Sequence, residues 1–116
     1  MGAAPYNLSI EQGSDIQIDV VYTDENANPY NITDYSAILK IRMETDWDTV
    51  LVELSTNNGR LSITGASGKV SIRVPAAETA RYFFVSGFYD LVITSQAGVS
   101  TRLIEGKVFV DREVSY

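Results

Sequence analysis

Cysteine and histidine are both absent from this sequence of 116 residues. Without cysteine there is no disulfide framework, no thiolate nucleophile and no soft metal site. Without histidine the commonest general base and the usual zinc ligand are missing too. No apolar run approaches the roughly 18 residues that a membrane-spanning helix needs. The opening "MGAAPYNLSIEQG" has neither a basic start nor an apolar run, so a secretory signal is not expected. No glycine-rich phosphate loop and no nucleophile elbow occurs. The expectation is a protein that is not an enzyme and needs no cofactor or metal.

What is present is ordinary for a globular chain: 45% hydrophobic and 21% charged residues. The length suits one domain, since domains commonly run to roughly 100–150 residues. A single domain over 1–116 is expected, with 1–5 and 112–116 as candidate tails. The charge is unevenly placed. Residues 1–39 contain six acids (Glu11, Asp15, Asp19, Asp24, Glu25 and Asp34) and no lysine or arginine, whereas 40–116 hold nine of each sign. The net charge of −6 thus arises in the N-terminal third. Such a surface repels phosphate backbones, which argues against nucleic acid. It serves solubility or meets a basic partner.

Alternation with period two dominates the chain and marks half-buried strands. "DIQIDVVYT" puts Ile16, Ile18, Val20 and Tyr22 on one face, and "SAILKIRME" does the same for Ala37, Leu39, Ile41 and Met43. "VLVEL", "LSIT" and "KVSIRV" add Val50, Val52, Leu54, Leu61, Ile63, Val70, Ile72 and Val74. A long hairpin, "GFYDLVITSQAGVSTRLIEGKVFV" (87–110), contributes Tyr89, Leu91, Ile93, Thr101, Leu103, Val108 and Val110. Its parity switches between Leu103 and Val108, which predicts a β-bulge near Gly106. Turn segments such as "TDENANPYN", "TNNGR", "TGASGK" and "SQAG" separate these runs. Short strands at such spacing predict an all-β, antiparallel sandwich of about seven to nine strands. The only helical candidate is "PAAETARY", one short turn near 75–81 that Pro75 would open.

Four features carry candidate sites. Asp24, Asn26 and Asn28 have the spacing that starts a calcium loop, but that loop also needs glycine and glutamate where Pro29 and Tyr35 stand. A polar hairpin turn is the expectation. Asp46 and Asp48 flank Trp47, an arrangement that could hold a sugar, yet no neighbour would push their pKa values apart. Asn31-Ile32-Thr33 has the form of a glycosylation acceptor. The fourth is "RYFFV" (81–85). Only alternate residues of an extended segment can face one core. Either the segment crosses the end of the sandwich and is buried, or it supplies aromatic anchors to an interface. Arg81, Tyr82, Phe83 and Phe84 are the interface candidates, with Trp47 behind them.

In the order "IEQGSDIQIDVVYTDENANPYNITDYSAILKIR" (10–42), "VLVELSTNNGRLSIT" (50–64), "GKVSIRVPAAETA" (68–80) and the 87–110 hairpin, the strands resemble small structural proteins of tailed bacteriophages. Those carry an immunoglobulin-like sandwich, also seen in N-terminal domains of baseplate and tail-fibre proteins. Recurring elements are a Gly-rich lead-in, an Asp-x-Thr-Gly-Tyr-like entry to the third strand, and a final hairpin ending in Glu-Gly. Here the entry is Ile32-Thr33-Asp34-Tyr35, with Asp34 in the glycine position, and the final hairpin ends Leu103-Ile104-Glu105-Gly106. The resemblance implies an immunoglobulin-like sandwich and a virion structural protein, most simply a tail or baseplate accessory. Its partners would be other virion proteins: copies of itself, or tail, neck or capsid proteins. A capsid-surface decoration protein and a host-facing receptor or glycan module are the other readings. No catalytic motif comes with it. The hairpin is expected to be core, its outer side touching another subunit.

Overall fold

The computed structural model describes residues 4–44, 46 and 48–111. Among them nine strands form two sheets: β1 (Ala4–Pro5), β2 (Leu8–Glu11), β3 (Ile16–Val21), β4 (Ser36–Arg42), β5 (Val50–Ser55), β6 (Leu61–Thr64), β7 (Lys69–Val74), β8 (Ser86–Thr94) and β9 (Ser100–Asp111). The larger sheet runs β1-β9-β8-β4-β5, with β2 also on β9, and the smaller runs β3-β7-β6. This is the immunoglobulin arrangement, with the B, E and D positions in the small sheet and C, F and G in the large one. Strands make up 55% and helical turns 7% of the described residues. The fold is an all-β sandwich, as the alternation predicts.

Three details differ from the sequence reading. The sandwich is not wholly antiparallel, because β1 and β2 lie parallel to β9. Parallel neighbours cannot be joined by a tight hairpin, and here the partners come from opposite ends of the chain. Ala4 and Pro5, expected in a tail, are β1; residues 1–3 and 112–116 lie outside the described residues. A second helical turn joins α1 (Ala76–Thr79): a 3-10 turn at Gly65–Ser67, closed by Gly68 at φ 62 donating to the Gly65 carbonyl. "TGASG" is a tight turn either way.

One contiguous apolar cluster joins the sheets. Leu39, Ile41, Leu91, Ile93 and Val108 of the large sheet face Val70, Ile72 and Val74 of the small one, all at most 2% exposed. Ile18 and Val20 are only half-buried, because β3 is the edge of its sheet. The bulge in the last hairpin falls at Leu103, not Gly106: Leu91 opposes Ile104, Val92 opposes Arg102, and both Leu103 and Ile104 are buried. One extra residue reverses the parity there. The outer edge of the hairpin is not open, since β1 and β2 cover it along 104–105 and 108–111. Among the described residues the lateral edges of the large sheet are the short β1 and β2 on one side and β5 on the other.

A polar knot holds the far end. The Asp15 carboxylate accepts from the Ala76 N–H (2.7 Å), capping α1 from another segment. The fully buried Thr79 hydroxyl donates to the Ser14 carbonyl (2.8 Å) and accepts from the Gly13 N–H (3.1 Å). Pro75 precedes the helix, its carbonyl accepting from the N–H groups of Glu78 and Thr79. The chain therefore leaves α1 in a set direction.

A candidate interaction groove beside the free edge

From α1 the chain runs through Arg81–Val85 into β8, and its residues alternate as an extended segment must. Tyr82 is buried, Phe84 half-buried, and Phe83 and Val85 are 81% and 63% exposed. The rings of Tyr82 and Phe84 stack with centroids 5.8 Å apart. Backbone bonds anchor the segment on both sides of Phe83. The N–H of Tyr82 donates to Thr79, the Tyr82 carbonyl accepts from the Gln12 side-chain amide (2.9 Å), and the Val85 carbonyl accepts from Val110 (2.8 Å). Phe83 is thus an outward aromatic on a fixed backbone.

Phe83 stands on the rim of a cleft of about 710 Å³ between this segment and β5. Leu51, Val52 and Met43 form one wall, and Tyr82 and Phe84 form the other. Leu51 is the extra residue of an irregularity in the β4–β5 ladder, which turns it toward the cleft. Asn58 blunts the upper part of the β5 edge: its side chain accepts from the Ser55 N–H (3.0 Å) and donates to the Glu53 carbonyl (3.0 Å). What β5 offers a partner is therefore mainly side chains rather than an open ladder.

Charge sits at the mouth. Arg60 grips Glu78 in a bidentate pair, its Nε 3.0 and 3.1 Å from the two carboxylate oxygens. Glu53 and Arg81 also line the cleft, are exposed, and form no ion pair with another described residue. The Tyr82 hydroxyl is buried with no hydrogen-bond partner among the described residues. Burial, reinforced by the Glu78 carboxylate, pushes its pKa up to about 12. The cleft is equipped to hold apolar side chains between apolar walls, with charges at its lip to orient them.

Of the sequence candidates, Arg81, Tyr82, Phe83 and Phe84 come together at this cleft. Trp47 lies outside the described residues. The sequence reading missed Leu51, Glu53, Arg60 and Glu78, whose role depends on β5 being an edge, and it turned Met43 inward. The other candidates are occupied locally. The Asp24 carboxylate accepts from the N–H groups of Asn26 (2.9 Å) and Asn28 (3.0 Å), organising its own hairpin. Asp46 accepts from the Asp48 N–H and the Thr49 hydroxyl. Asn31 accepts from the Thr33 N–H. Among the described residues no three acidic side chains gather as a metal site, and no helix is long and apolar enough to cross a membrane. No family model matches this chain, and a comparison with curated proteins found no match.

Proposed function

We propose that this chain is a non-enzymatic structural component of a tailed-phage particle, an accessory of the tail or baseplate. It acts through contacts with other particle proteins at the groove beside β5. One observation carries the reading: Phe83 projects into solvent from a backbone anchored on both sides, at the lip of an apolar cleft. A core has no use for such a residue, whereas interfaces concentrate their energy in aromatics that enter pockets. Holding the ring on a fixed backbone lowers the ordering cost of association. The groove's polar groups favour binding over chemistry, because Arg60 and Glu78 satisfy each other and the Tyr82 phenol is held protonated.

The virion setting draws support from the strand order and the resemblance of its segments. The Asp24 and Asp46 carboxylates accept from their own turns, which favours assembly over a host-facing glycan site. Mass spectrometry of purified particles tests the proposal. The chain is expected as a stoichiometric component, and its absence from particles would contradict the reading.

A further inference from the structure

The groove holds an unusual pairing of features: a protruding aromatic and a receiving cleft stand side by side in one chain. Phe83 cannot fill its own cleft, since its anchored backbone turns it outward. Glu53 on the β5 side and Arg81 on the opposite side carry opposite charges and lack ion-pair partners among the described residues. A patch that carries a knob beside a hole, with both signs of charge across them, has the parts an isologous contact between two copies requires, each knob facing the other copy's hole. We propose that the occupant of the groove is a second copy of this chain. Phe83 of each copy enters the other's cleft between Leu51, Val52 and Phe84, and Arg81 of each meets Glu53 of the other. Each contact is made twice, which helps a short edge approach the roughly 800 Å² per partner of a stable interface. The capped upper edge of β5 makes side-chain docking, not ladder extension, the mode of contact.

The inference rests on reading the groove as an assembly contact. Its test is the solution mass of the purified full chain by sedimentation equilibrium. Wild type is expected to reach twice the 12.8 kDa of one chain as concentration rises. Phe83→Ser should weaken self-association about tenfold or more, as loss of a central aromatic does. Glu53→Arg and Arg81→Glu should each weaken it, and the double reversal should recover most of the loss; this pair decides the matter if the Phe83 variant fails to fold. A wild-type chain that stays monomeric overturns the proposal, as does a double reversal no better than either single change. A monomer still found in particles removes the second copy as occupant and leaves the assembly reading standing. A chain absent from particles removes that reading whatever its solution mass.

Discussion

The hydroxyl of Tyr89 donates to the backbone carbonyl of Tyr6, reaching across β9 from β8 to the lead-in between β1 and β2. Gly106 makes this possible. It is the β9 residue opposite Tyr89, and a Cβ there would collide with that same carbonyl. The glycine of the terminal Glu-Gly therefore serves a close approach of two backbones, not a bulge. Tyr89→Phe should cost about 0.5–1.5 kcal/mol, the usual net worth of one hydrogen bond. Gly106→Ala should cost about 1–3 kcal/mol through overpacking. Urea denaturation checks both.

Tyr82 should behave in the opposite way. Its hydroxyl is buried without a partner among the described residues, and an unmet polar group costs about 1–3 kcal/mol. Tyr82→Phe is thus expected to hold or raise stability under conditions where Tyr89→Phe lowers it. A loss at both sites would show that the Tyr82 hydroxyl has a partner after all.

The same two phenols set an alkaline limit. Burial raises both pKa values, that of Tyr82 to about 12. A phenol whose folded pKa is raised keeps its proton where the unfolded chain has lost it. Its contribution is whole below the unfolded value near 10 and falls away as pH climbs toward about 12. Stability of wild type should drop more steeply across that window than stability of Tyr82→Phe, measured as denaturation midpoint against pH.

Asp34 adopts φ 68, in the left-handed region that glycine enters freely. Its side chain is exposed, so backbone strain decides the effect of substitution. Asp34→Gly should leave stability within about 1 kcal/mol, whereas a β-branched Asp34→Val should cost about 1–3 kcal/mol. Equal losses for both would point to a side-chain role instead.

Leu39 and Leu91 are opposed across β4 and β8 at the centre of the core. Truncation of either to alanine should cost about 2–5 kcal/mol. Ile18→Ala should cost less, since its strand lies at an edge and the side chain is half-buried. Thermal or urea unfolding ranks the three.

That ranking shows what alternation can and cannot convey. The period-two pattern identified the inward faces of β4, β7 and β8, because those strands are flanked on both sides and bury one face completely. The pattern carries no sign of which strand ends a sheet, so Ile18 and Val20 on β3 read as fully inward when they are not, and it ran one residue past the end of β4 to the exposed Met43. Nor does it show pairing between the first and last strands, which depends on partners some hundred residues apart. In the groove, "RYFFV" was conspicuous for its aromatic density, but alternation alone left open which ring faces out. Arg60, Glu78 and Glu53 look like ordinary surface charges until the β5 edge and the segment after α1 are brought together.

The most direct measurement of the account is made on the Phe83→Ser variant in an infection. Its thermal melting temperature and its abundance in purified particles are compared with wild type. An exposed ring contributes little to the fold, so the melting temperature should stay within a few degrees while abundance in particles falls sharply. A variant that folds and enters particles at the wild-type level would contradict the claim that this groove makes the contact.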